Sequence, residues 1–128
     1  MVDALLAPRL WRFLLWPLGA VILFLALMPH PPESVSLGWD KLNHMSAFLA
    51  LALTSSMGYG RKGELPGPLT LRALWLGAGL LAFGGLIEIG QAFVPTRSCD
   101  WADLLADSVG IAVGAGLAMG VRWVLHHR

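Results

Sequence analysis

The segment GGLIEIGQAFVPTRSCDWADLLADSVG, residues 84–110, concentrates ionisable side chains in a chain of which only 13% of the residues are charged. Glu88 and Gln91 are three residues apart, and Asp103 and Asp107 are four apart, so each pair shares one face of a helix. Carboxylates at such spacings can act as general acids and bases, bind a ligand, or form a network of ion pairs. The segment is therefore the first place to look for a function.

A second polar group lies earlier in the chain. Asp40 and His44 are four residues apart, and Lys41 and His44 are three apart, so these side chains also share a helix face. Lys41 and Arg97 carry positive charge that can meet a phosphate, and an arginine can do so through two parallel hydrogen bonds. The chemistry predicted for the two groups together is recognition of an anionic ligand, with its conversion as an alternative.

The composition predicts a membrane protein. Hydrophobic residues make up 56% of the 128 residues, and the mean hydropathy is +0.66, whereas a soluble domain carries about 25% charged residues. The net charge of +1 lacks the basic excess of a nucleic-acid-binding protein. Since Cys99 is the only cysteine, no disulfide can form within the chain.

Four apolar stretches are long enough to cross a bilayer, which requires about 20 residues. They predict helices at about 10–29, 41–60, 70–94 and 101–125, joined by short connections rich in proline and glycine. Residues 1–128 are therefore expected to form one all-α, polytopic membrane domain with four transmembrane helices.

The basic residues predict the orientation, because lysine and arginine favour cytoplasmic loops. With four spans, both termini and the second connection lie on one side of the membrane. That side carries seven of the nine basic residues, namely Arg9, Arg12, Arg61, Lys62, Arg72, Arg122 and Arg128. Both termini are therefore predicted to be cytoplasmic, in the inner (plasma) membrane.

This topology brings the two polar groups together at the extracytoplasmic face, since the second and fourth helices begin there and the third ends there. The expected members are Asp40, Lys41, His44, Glu88, Gln91, Arg97, Asp100, Asp103 and Asp107. Gly110 and Gly114 continue the acidic face of the fourth helix, and Gly84 and Gly85 lie one turn from Glu88. Small residues at these spacings allow close helix packing, so the acids are expected to point into the bundle.

Three separated motifs resemble the VanZ-like family of small membrane proteins: D-K-x-x-H at 40–44 followed by Phe48, E-x-x-Q at 88–91, and D-L-L-A-D-S-V-G at 103–110 with Arg97 before it. The resemblance implies a cell-envelope role related to glycopeptide resistance. It marks as motif positions Asp40, Lys41, His44, Glu88, Gln91, Arg97 and Asp103. Asp107 stands where the family more often has asparagine.

The leading functional prediction is a polar pocket that binds, and can process, an anionic envelope lipid or lipid-linked intermediate. Lys41, Arg97 and a protonated His44 would meet the phosphate. The remaining ligand-binding positions would be Asp40, Gln91, Asp100 and Asp107. Trp39 and Trp101 flank the pocket and are expected to anchor it at the membrane interface.

Three alternatives remain open. In the first, His44, Glu88 and Asp103 are catalytic residues of a membrane-embedded hydrolase or transferase. In the second, the cluster is a purely structural network in an interaction protein, with Lys41 and Arg97 neutralising acids. Proton-linked transport is the third alternative, although the cytoplasmic halves of the helices are largely apolar and offer no second group of acids through which a proton could leave. No cofactor is expected, and no metal, because one histidine among carboxylates at these spacings is a weak metal signature. A homo-oligomer stays open.

Overall fold

The computed structural model describes residues 7–127, and four α-helices account for most of them. They are α1 (Pro8–Leu27), α2 (Asp40–Tyr59), α3 (Leu69–Ala92) and α4 (Ala102–His126). A short 3₁₀ turn, Glu33–Val35, interrupts the connection between α1 and α2. Each helix begins and ends within two residues of its predicted bounds, and residues 7–127 contain no β-strand. The expectation of an all-α protein with four helices is confirmed.

Three of the four helices are long and apolar enough to cross a membrane: α1, α3 and α4. Their outward surfaces carry large exposed apolar side chains such as Phe13, Leu86 and Trp123, in keeping with contact with lipid. Helix α2 falls short by composition, since polar residues stand at both of its ends. Its role as a fourth span stays a prediction, as does the orientation of the termini.

Helix α2 lies at the centre of the bundle, packed most extensively on α4 and next on α1. Phe48 and Leu51 of α2 and Ile87 of α3 form the buried core. The ring of Phe48 lies 6.2 Å from that of Phe83, centroid to centroid. The least apolar helix is therefore the one most enclosed by the other three.

The close approach of α2 and α4 depends on two glycines. Gly110 of α4 lies against the carbonyl oxygen of Met45, and Gly114 lies against that of Leu49. A β-carbon at either position would overlap the backbone of α2, which confirms the predicted small-residue packing face of α4. Gly84 on α3 is also enclosed, whereas Gly85 has nothing within 4 Å of the position of a β-carbon, so the packing role expected for Gly85 is wrong.

Arginines hold the end of the bundle where α2 finishes. Arg12 donates from Nε to the carbonyl oxygen of Gly58 at 2.9 Å and forms an ion pair with Glu64. Arg122 donates from Nη2 to the carbonyl oxygens of Ser56 and Met57. The last carbonyls of a helix lack the usual partners within that helix, and α1 and α4 supply side-chain donors to this end of α2. This basic end holds a cavity of about 510 Å³.

Candidate functional site

The site lies at the other end of the bundle, where α2 and α4 begin and α3 ends. Its centre is the carboxylate–histidine cluster, defined here as Asp40, His44, Glu88, Asp103 and Asp107. Asp103, Asp107, Glu88 and His44 are buried, whereas Asp40 is more than half exposed. The predicted convergence of residues from α2, α3 and α4 is therefore present in the structure.

The imidazole of His44 contacts all four acids of the cluster. Its Nδ1 lies 2.9 Å from Asp107 Oδ1, which is hydrogen-bonding distance. Its Nε2 lies 3.5 Å from Asp103 Oδ2, 3.7 Å from Glu88 Oε1 and 3.9 Å from Asp40 Oδ2. One ring nitrogen is thus fixed by a hydrogen bond, while the other faces three carboxylate oxygens that are too far away for a good one.

Lys41 neutralises one edge of the cluster. Its Nζ donates to Asp100 Oδ2 at 2.8 Å and to Asp103 Oδ1 at 3.1 Å. The backbone N–H of Asp100 donates to Glu88 Oε2 at 2.8 Å. The connection between α3 and α4 is thereby tied to α3 and to the start of α2, and α2 is tied to α4.

Two carboxylate oxygens in the cluster are buried and lack a hydrogen-bond partner among residues 7–127: Glu88 Oε1 and Asp107 Oδ2. Both residues are 0% exposed. Burial of an unpaired carboxylate oxygen is costly, and Lys41 is the one lysine or arginine that pairs with this group of acids in the described part of the chain. Acidic groups therefore outnumber basic groups at the site.

Arg97 and Gln91 lie beside the cluster but bond in another direction. Arg97 donates from Nε to the carbonyl oxygen of Met28 at 3.2 Å and from Nη2 to that of Leu25 at 3.0 Å. Gln91 donates from Nε2 to the carbonyl oxygen of Ala26 at 3.0 Å. The alternative of a purely structural network paired Arg97 with an acid, whereas its guanidinium satisfies carbonyls at the end of α1.

The connection between α3 and α4 shows opposite electrostatic effects at adjacent residues. The hydrogen bond from Lys41 lowers the pKa of Asp100 below its ordinary value. Desolvation raises the pKa of the Cys99 thiol, with the negative charge of Glu88 and Asp100 acting in the same direction. Asp100 is therefore held ionised, whereas Cys99 is held as a thiol of reduced nucleophilicity.

A partly open cavity of about 570 Å³ lies between α1 and α2, under the segment that joins them. Its apolar wall includes Leu18, Ile22 and Phe48, and its polar end is formed by residues Asp40, Asn43, His44, Gln91 and Arg97. Of the predicted site residues, Asp40, His44, Gln91 and Arg97 line this cavity. The other predicted site residues lie on the far side of His44 from the cavity, toward α3 and α4. They are Lys41, Glu88, Asp100, Asp103 and Asp107.

Asn43 contributes to the site although the sequence analysis passed over it. Its Oδ1 accepts from the N–H of Leu37 at 2.7 Å, and its Nδ2 donates to Ser36 Oγ at 3.2 Å. These bonds hold the α1–α2 connection over the cavity. The signal available was its place beside His44 in D-K-L-N-H. Trp39 and Trp101, each 58% exposed, stand close by in sequence at the starts of α2 and α4, and anchoring stays a prediction for them.

Apolar helices long enough to span a bilayer, packed around a buried polar cluster, define a helical membrane protein. Residues 10–124, nearly the whole chain, match the family model described as VanZ/LLP1. The chain therefore belongs to the VanZ/LLP1 family, as the three motifs indicated. No curated protein and no solved structure was found to match it.

Proposed function

We propose that this protein binds a phosphate-bearing envelope lipid, or a lipid-linked intermediate, in the cavity between α1 and α2. The observation that carries the proposal is the change in the walls of one 570 Å³ cavity from apolar side chains to Arg97, Gln91 and His44. An acyl or prenyl chain suits the apolar part, and a phosphate suits the end that contains a guanidinium.

The same proposal includes four transmembrane helices and cytoplasmic termini. Helix α2 has 20 residues, enough to cross, and its polar His44, Thr54 and Ser55 are buried against its neighbours or bonded to its own backbone. The basic residues at the end of α2 favour the cytoplasmic side. The cluster then faces the extracytoplasmic leaflet.

Lys41 has a smaller part in this proposal than the sequence suggested. Its ammonium group already meets Asp100 and Asp103, so Arg97 is the main direct partner for a phosphate. Arg97 uses Nε and Nη2 for the end of α1, which fixes the guanidinium at the edge of the cavity. A fixed guanidinium loses less conformational freedom when it binds an anion.

The test fills the cavity without altering charge. Ala47 lines the cavity. We expect native mass spectrometry to show phosphate-bearing lipid bound to the wild-type protein after repeated detergent exchange. The Ala47→Leu variant should lose this lipid. Ala112→Leu adds the same atoms to an exposed position on α4 outside the cavity and should retain the lipid. Equal lipid retention in both variants would contradict the proposal.

A second candidate function is hydrolysis or group transfer in the same site. The observation in its favour is the Asp107–His44 hydrogen bond, which orients the imidazole toward Glu88 and Asp103 in the manner of a general base. Time-dependent release of phosphate from lipid-phosphate liposomes, lost in Glu88→Gln and retained in Glu33→Gln, would support it. Retained lipid binding without turnover would exclude it.

A further inference from the structure

We propose that four side chains of the carboxylate–histidine cluster bind one divalent transition-metal cation. The ligand atoms are His44 Nε2, Asp40 Oδ2, Glu88 Oε1 and Asp103 Oδ2. The sequence spacing predicted no metal, because a set drawn from three helices has no compact signature. The proposal concerns metal binding alone and does not require that the neighbouring cavity binds lipid.

The distances fit a central ion. Asp40, His44 and Asp103 each offer a ligand atom, and these atoms all lie within 4.8 Å of one another. Around His44 Nε2 the three carboxylate oxygens stand at 3.5, 3.7 and 3.9 Å. Zinc bonds of about 2.0–2.2 Å place the ligand atoms of a tetrahedron about 3.3–3.6 Å apart, so the distances from His44 Nε2 are close to those of a bound site, and the carboxylate oxygens would draw closer to one another around the ion.

Asp107 supports the assignment by contacting the other ring nitrogen of His44. Its Oδ1 lies 2.9 Å from His44 Nδ1, and the proposal uses the tautomer in which Nδ1 donates its proton to Asp107. The lone pair of the neutral ring is then on Nε2, directed at the proposed ion. Histidines that bind metals commonly donate their other ring N–H to a carboxylate in this way.

Charge gives a second, independent reason for a cation. Glu88 Oε1 is completely buried, lacks a hydrogen-bond partner among residues 7–127 and faces His44 Nε2. Three carboxylate oxygens gathered within 3.9 Å of His44 Nε2 repel one another when they are ionised. A divalent ion replaces these repulsions with four coordinate bonds, and it also offsets the excess of acids that Lys41 leaves uncompensated.

The donor set indicates the kind of metal. One imidazole nitrogen with carboxylate oxygens suits Zn²⁺ or Mn²⁺, whereas Mg²⁺ and Ca²⁺ prefer oxygen ligands alone. Asp40 is 57% exposed at its side chain, so the ion has a route of entry. Exposure on that side also leaves room for a water molecule or a ligand oxygen as a further donor.

The experiment uses the full chain purified in a detergent free of phospholipid, treated with chelator and titrated with Zn²⁺ or Mn²⁺ alone. We expect one high-affinity ion per chain, and zinc K-edge absorption with a nitrogen/oxygen shell that includes imidazole. Asp40→Asn should weaken binding by about tenfold or more, and Asp107→Asn by about 10–100-fold. Because Asp40 is exposed, its substitution tests the site without opening the core, should the His44→Ala variant fail to fold.

Two controls separate the cluster from adventitious sites. Glu33→Gln removes an exposed acid from the same end of the bundle and should leave the affinity unchanged. Replacement of His126 and His127 by alanine removes the exposed histidines at the opposite end and should also leave it unchanged. Binding that survives in Asp40→Asn and Asp107→Asn but disappears with His126 and His127 would overturn the proposal. So would a wild-type protein that binds neither Zn²⁺ nor Mn²⁺.

Discussion

The packing of α2 on α4 predicts opposite effects for the same substitution at two glycines of one helix. In Gly110→Ala, the new β-carbon would overlap the carbonyl oxygen of Met45 and stand 3.0 Å from the backbone nitrogen of Leu49. These are backbone atoms, so α2 has to move as a unit. In Gly116→Ala, the β-carbon would meet nothing within 4 Å.

The magnitude follows from comparing the two variants. Replacing a glycine within a helix by alanine contributes about 0.5–1 kcal/mol of stability in either case. Overpacking costs about 1–3 kcal/mol and applies only to Gly110. The propensity contribution cancels in the difference, so Gly110→Ala should have a free energy of unfolding about 1–3 kcal/mol below that of Gly116→Ala.

Tryptophan fluorescence during denaturing-detergent titration of the purified protein measures this difference, since the chain has six tryptophans. Displacement of α2 at Met45 should also move His44, its neighbour in the chain, and weaken metal binding in Gly110→Ala alone. Equal unfolding free energies for the two variants would refute the packing argument, because the steric overlap at Gly110 would then have no measurable cost.

Three further predictions concern the segments around the site. Arg97→Gln should speed amide hydrogen exchange in the last turn of α1, since it removes two charge-assisted hydrogen bonds worth about 1.5–3 kcal/mol each; unchanged exchange there would contradict the capping role. Because the pKa of Asp100 is lowered in the folded protein, its ionised form contributes stability above the ordinary aspartate pKa, and this contribution is lost as the pH falls through the lowered value. In Asp100→Asn, the free energy of unfolding should therefore fall less steeply as the pH is lowered into the acidic range. An unchanged dependence on acidic pH would contradict this prediction. Cys99, whose thiol pKa is raised, should react with a membrane-impermeant maleimide from the extracytoplasmic side, more slowly than a free thiol at neutral pH; labelling only after the cells are opened would reverse the orientation.

The sequence was sufficient to predict the helices and their meeting point, for physical reasons. Apolar runs of bilayer length bounded by proline and glycine leave little choice of helix position. Short connections force neighbouring helices to alternate in direction. Once α2 and α4 begin where α3 ends, His44, Glu88 and Asp103 must meet.

The partners of individual side chains were less predictable. The structural-network alternative paired Arg97 with an acid because opposite charges attract, but the carbonyls of Leu25 and Met28 compete for it, and which acceptor is nearer depends on how α1 packs. Gly84 and Gly85 differ by one residue, which turns a helix by about 100°, so one faces the interior and the other does not. Neither distinction is visible before the helices are assembled.

The enclosure of α2 has a consequence for how the protein is made. Helix α2, the least apolar of the four, has several of its hydrogen-bond partners on α4, the last of the four helices to be synthesised. Until residues 102–126 emerge, the imidazole of His44 lacks Asp107 and the final carbonyls of α2 lack Arg122. In the proposed four-span topology, a nascent chain that stops before α4 holds a segment that the bilayer accepts poorly, and we expect stable integration of α2 only after α4 has been made.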